Sequence, residues 1–236
     1  MNHESVTLYK LALASAMYNS LTPFNKSLKL LSDGTGSNID LANPEHCRSL
    51  LTWLNDWGCR HLAEDQHDVA SESIADWYQT KGAGLFEANK PLWELEDGEL
   101  EAPAWAYGAL KDMAGARRIR GGRDLEISIG PTAASKILFA IRPKALMPWD
   151  EAIRVAFECS GSPGSYIRYL KEIRKLTLDI GDLCRSKGFQ IDELPHKLGR
   201  PDSTLLALVN EYIWITETRK IQLPSLETLN HWVSLG

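Results

Sequence analysis

Apolar residues recur along most of this chain at the three- and four-residue intervals of a helix, and the pattern predicts a succession of amphipathic helices. Leu8, Leu11, Ala12, Ser15 and Tyr18 set the first, which ends near Thr22-Pro23. Leu50, Leu51, Trp53, Leu54 and Trp57 set the second, entered after Pro44 and stopped at Gly58. Asp68–Gln79 and Ala104–Ala114 read as two more. Tyr166, Tyr169, Leu170, Ile173, Leu176 and Ile180 mark a long helix whose opposite face carries Arg168, Lys171, Arg174 and Lys175. Ser203–Thr218, with Ser203 as its cap, and Pro224–Leu235 follow. No two alternating segments are joined by hairpin-turn residues, so no strand pair is expected. Loops are expected at Ser32–Ala42, Leu95–Pro103, Ile119–Arg123 and Gly161–Gly164. The expected fold class is all-α, with about nine to eleven helices.

Composition narrows the class. The 236 residues are 44% hydrophobic and 24% charged, which excludes disorder, collagen-like repeats and disulfide-dense miniature scaffolds. The most apolar window, Leu205–Ile215, is broken by Asn210 and Glu211 and falls short of the roughly 18 residues of a membrane span, so no membrane partner is expected. Leu11–Met17 is Ala-rich but lacks a basic leader, having Glu4 against only Lys10, and reads as an ordinary helix rather than a signal peptide. Four cysteines are too few for a disulfide framework, so a cytoplasmic protein with reduced thiols is expected.

Charge changes the picture more. Net charge is −5, but residues 1–110 hold 7 basic against 16 acidic side chains, whereas residues 111–190 hold 15 against 9. The middle third is basic inside an acidic protein. A basic face binds a polyanion locally whatever the total charge, because such fields decay over about one Debye length, roughly 8 Å at physiological salt. A solvated helix surface is the plainer reading of the same charges.

The candidate chemistry lies at residues 127–154. Gly130 can adopt a backbone conformation closed to other residues, and Pro131 suits the first turn of a helix. A tight turn feeding a helix N-terminus offers free N–H groups to a phosphate, although Pro131 itself cannot donate. The helix runs to about Ile141, stops at Pro143, and another begins at Asp150.

Ile129-Gly130, the Ala-containing helix that follows, and Pro148-Trp149-Asp150 resemble the helix–hairpin–helix DNA glycosylases, the base-excision superfamily with the 8-oxoguanine-glycosylase fold. The resemblance covers 28 residues, and the 20-residue step from Gly130 to Asp150 is close to the family's spacing. It departs in that Ser128 stands where the family has its first glycine, and the aspartate element is one residue shorter. Thr132 occupies the place of the Schiff-base lysine of bifunctional members, which implies a monofunctional enzyme that leaves an abasic site. Only Cys159 and Cys184 follow the aspartate, so no iron–sulfur cluster is expected. The wording around Pro131 and Met147 is similar to a bacterial branch that includes anti-phage enzymes removing glucosylated hydroxymethylcytosine.

The resemblance implies a two-lobed helical fold with a cleft between lobes. Residues 1–236 would form one glycosylase-like unit, with 111–190 the hairpin and catalytic region and 1–110 plus 191–236 the second lobe. Its partner would be double-stranded DNA carrying a modified base, with no cofactor, no metal and no obligate protein partner. Asp150 would be the catalytic carboxylate, stabilising positive charge on the deoxyribose and orienting water. Ile129, Gly130 and Thr132 would grip a phosphate, with Arg118, Arg120 and Arg123 beside them, and Lys136 and Trp149 would line the base pocket. A helix cap explains Asp150 equally well. His46-Cys47 and Cys59-Arg60-His61 lack the close cysteine pair of a structural zinc site. Two other functions stay open: a non-catalytic helix–hairpin–helix DNA-binding module, and an all-α protein–protein adaptor working through its acidic N-terminal third.

Overall fold

Thr7, Asn43, Asp150, Ser162, Thr204 and Ser225 each accept a hydrogen bond from a first-turn backbone N–H, and each starts a helix. The computed structural model describes residues 6–36, 38–87 and 89–235, with Arg120 described in its backbone alone. In chain order the helices are α1 (Leu8–Leu21), α2 (Phe24–Thr35), α3 (Pro44–Asp56), α4 (His67–Trp77) and α5 (Glu101–Asp112). Strands β1 (Ala114–Arg120) and β2 (Arg123–Ser128) come next. Then follow α6 (Gly130–Ile141), α7 (Glu151–Ala156), α8 (Pro163–Ser186), α9 (Leu194–Lys197), α10 (Leu205–Ile213) and α11 (Leu226–Ser234). π-Helical turns at Tyr78–Gly82 and Trp214–Thr218 extend α4 and α10. The fold is mostly helical, as the periodicity predicts.

Three local expectations are corrected. Helix α2 runs on to Thr35, into the start of the loop expected at Ser32–Ala42. The cap of α10 is Thr204, because the Ser203 hydroxyl is taken by the Arg200 guanidinium at 2.8 Å. The third is the pair β1–β2, an antiparallel ribbon turned by Gly121 and Gly122 at φ +59° and +74°. Both glycines adopt the positive φ that a tight two-residue hairpin turn requires. The strand signal was absent because both faces of the ribbon are largely in solvent, so no apolar alternation was needed.

Helix α6 is the centre of the core. Every residue from Ala133 to Ile141 is buried, and the helix packs on α5 and α3. A helix apolar on all sides is one surrounded by others, and each fully buried Leu, Ile or Phe there contributes about 1.5–3 kcal/mol. The apolar cluster around it draws on Leu11, Leu50, Trp53, Tyr107, Leu138, Tyr166 and Leu206, so residues from 1–110, 111–190 and 191–236 share it.

A polar network ties the chain's two ends together. Glu211 is 1% exposed and takes both Nη atoms of Arg200, at 3.0 and 3.1 Å. Asn25 Nδ2 donates to the same carboxylate at 2.9 Å, and Arg200 Nη1 reaches Ser15 Oγ at 2.6 Å. Glu211 thus interrupts the apolar run Leu205–Ile215 because it is the buried counterion of Arg200. Among the described residues no helix is long and apolar enough to cross a membrane.

Candidate functional site

Gly130 opens α6 at φ +78°, with no atom within 4 Å of where a Cβ would sit, so backbone conformation alone selects glycine there. The residue before it closes the root of the ribbon. Ile129 N–H donates to the Met113 carbonyl at 2.8 Å, and the Ile129 carbonyl meets His61 Nε2 at 3.0 Å, which makes Nε2 the protonated ring nitrogen. Ile129 is fully buried and its backbone is fully engaged, which corrects its expected role in gripping phosphate. Gly130 and Thr132 are half-buried, and the first-turn N–H groups they carry have no acceptor within the helix.

Residues 147–149 bind the turn to Asp150. Trp149 Nε1 donates to the Pro131 carbonyl at 3.1 Å, and Trp149 N–H donates to Ser135 Oγ at 3.1 Å. From α8, the Tyr166 and Tyr169 hydroxyls donate to the Met147 and Pro148 carbonyls at 3.1 and 3.0 Å. The Trp149 ring is 1% exposed and packs edge-on against Tyr107 and Tyr166. Trp149 therefore has no free face for an extruded base; it is the brace between Pro131 and the residue that follows it.

Asp150 is half-buried. One oxygen, Oδ1, accepts Ile153 N–H at 2.8 Å as the cap of α7; Oδ2 accepts the Thr218 hydroxyl at 2.8 Å. Thr218 was not foreseen, since it arrives from the π-helical turn after α10, 68 residues on, and nothing local signals the contact. Two buried phenols feel the charge of the carboxylate. Burial, then the charge of Glu211 and more weakly that of Asp150, pushes the Tyr18 phenol up; burial, Tyr166 and Asp150 do the same to Tyr169. Both stay protonated at neutral pH.

One turn beyond Asp150, Arg154 keeps a buried Nε with no partner among the described residues. Its Nη1 lies 2.9 Å from where a Cβ on Gly161 would sit, with the Pro131 ring bordering the same point at 3.5 Å. Gly161, at φ +86°, leaves room for that guanidinium beside the Gly130 turn. Lys136 is elsewhere. It is 8% exposed, donates to the Trp57 carbonyl and lies 5.7 Å from that ring's centre. Lying inside α6's buried girdle, it is held by internal partners and is not presented to a base pocket.

Arg118 and Arg123 stand in solvent on the ribbon; the Arg120 side chain lies outside the described residues. Among the described residues no group of His, Cys, Asp and Glu could hold a metal ion. His46 Nδ1 instead accepts Asp40 N–H at 3.1 Å, and His61 serves Ile129. Among the described residues, cavities of about 1140, 540 and 480 Å³ open near Trp93, Phe139 and Trp105, and Gly130, Thr132 and Asp150 do not line these. No family model, curated protein or solved structure matches the chain.

Proposed function

We propose that this protein is a monofunctional DNA glycosylase of helix–hairpin–helix type, with Asp150 as its catalytic carboxylate. The observation that carries the reading is the brace at Trp149: its indole holds Pro131 and its amide holds Ser135, so the Gly130 turn and Asp150 are fixed in one rigid frame. In this reading α5, the ribbon and α6 stand in for the family's motif, with the Met113–Ile129 hydrogen bond closing the ribbon where a short hairpin would otherwise join two helices. A phosphate would meet the N–H groups of Gly130 and Thr132, with the Arg154 guanidinium beside them.

Cleavage of an N-glycosidic bond builds positive charge on the sugar, which a fixed carboxylate stabilises. Asp150 suits this because its cap bond from Ile153 N–H and its bond from the Thr218 hydroxyl fix the orientation of the carboxylate. A carboxylate has about four acceptor sites, and Ile153 and Thr218 use two. The remaining pair would orient the attacking water. The base would be a modified one extruded from a duplex, at a cost of a few kcal/mol, roughly, in unstacking. Thr132, where a Schiff-base lysine would stand, leaves an abasic site as the product.

The test is incubation with genomic DNAs of different modification status, glucosylated hydroxymethylcytosine DNA among them, with released bases read by mass spectrometry. A released modified base with alkali-labile strands supports the reading; intact DNA throughout overturns it. A non-catalytic duplex-binding module is the second reading, favoured by the exposed Arg118 and Arg123 of the ribbon, which meet a duplex whether or not Asp150 acts. It differs in forming a salt-sensitive complex without product.

A further inference from the structure

We propose that the β1–β2 ribbon enters the major groove of double-stranded DNA with its Arg118–Leu125–Arg123 face turned to the duplex. The inference extends the proposed function by naming a second contact and its geometry, and rests on that reading only for the choice of DNA.

The register sorts the ribbon's charges onto two unlike faces. Arg117 pairs with Glu126 and Ile119 with Asp124, so one face holds both of the ribbon's acids. Arg118 pairs with Leu125 and Arg120 with Arg123, so the other face carries arginine positions and no acid. Opposite charges facing across a sheet stabilise it and like charges directly opposite destabilise it. Arg117–Glu126 is what a solvated ribbon favours. Arg118 and Arg123 stand exposed on the face that holds no acid, so a polyanion against that face meets positive charge and no opposing carboxylate.

The anchoring leaves that face free. Gln66 Oε1 accepts Arg117 N–H at 2.7 Å along the outer edge of β1, and Gly115 sits against Leu62 and Ile129 at the root. Beyond these contacts Arg118, Arg123 and Leu125 are exposed. Strands about 4.8 Å apart, with their side chains, match the roughly 12 Å major groove of B-form DNA. The deep, narrow groove of A-form RNA does not admit them.

The test measures binding of a short unmodified DNA duplex and of an RNA duplex of equal length as salt is varied. Variants are Arg118→Ala/Arg123→Ala and, from the opposite face, Arg117→Ala. Circular dichroism checks that each stays folded. The expected result is tighter binding of DNA than of RNA, with the slope of log K against log salt reduced by about two in the double variant and unchanged in Arg117→Ala. Equal slopes in all proteins, equal affinity for both duplexes, or no binding even at low salt overturns the proposal. The two readings separate cleanly: abasic product with slopes untouched sinks only the ribbon, and the expected slopes without abasic product sink only the enzyme.

Discussion

Ser135 accepts the Trp149 amide at 3.1 Å with its side-chain oxygen, inside the core and 14 residues away in sequence. That bond, with the indole's bond to Pro131, holds residues 147–150 against the first turns of α6. Ser135→Ala leaves the buried Trp149 N–H without an acceptor, and an orphaned buried donor costs about 1–3 kcal/mol. Urea unfolding of the variant is expected to show a loss of that size. An unchanged midpoint would mean that the brace adds nothing.

A helical period is a local pattern, so helices were legible where one face was apolar, as along Tyr166, Tyr169, Leu170 and Ile173. The Gly130 turn and the helix start at Asp150 were legible for the same reason: glycine's freedom and the capping chemistry of aspartate are local properties. The ribbon was hidden because it buries almost nothing, although Gly121-Gly122 is itself a hairpin-turn pair. Lys136 and Trp149 were placed at the pocket by adjacency to the motif. The run Ala133–Ile141 is apolar except for Ser135 and Lys136, and on so buried a helix both had to be satisfied internally. Thr218 and Arg200 act through contacts to Asp150 and Ser15, 68 and 185 residues away in sequence, which no local pattern records.

Gly130 tests the turn by itself. A Cβ there meets no neighbour, so Gly130→Ala isolates the backbone term. The left-handed conformation costs a non-glycine residue about 1–2 kcal/mol. Stability is expected to fall by that amount. A neutral or stabilising alanine would show that the turn does not hold φ +78° in solution.

The buried Glu211 answers the half-buried Arg200, so removing the acid leaves a guanidinium 20% exposed at its side chain with no counterion. Breaking one partner of a buried pair costs about 3–5 kcal/mol. Glu211→Ala is expected to lower the thermal midpoint strongly, whereas Arg200→Met with Glu211→Leu, which removes both charges, is expected to recover most of the loss. Equal damage from the single and double variants would contradict the pairing.

Alkali should unfold the protein through its buried phenols. Burial raises Tyr18, Tyr107, Tyr166 and Tyr169 above their ordinary value of 10.0. A raised folded-state value means that the unfolded chain loses these protons first. The stability they contribute is therefore complete below pH 10 and declines as pH rises beyond it. Tyrosinate absorbance from these four is expected to develop together with loss of helical circular dichroism. Full ionisation of all seven tyrosines with the fold intact would contradict their burial.

Asp150 is where the cap and the chemistry separate. Asparagine caps a helix as well as aspartate does, so Asp150→Asn is expected to hold stability within a few tenths of a kcal/mol, and Asp150→Ala to lose about 1 kcal/mol. The decisive measurement is single-turnover formation of abasic sites by Asp150→Asn on whichever modified DNA the unaltered protein cleaves. The account expects a folded, DNA-binding variant with its excision rate cut by at least a hundredfold, roughly the scale of a lost catalytic group. Excision at the unaltered rate would contradict it.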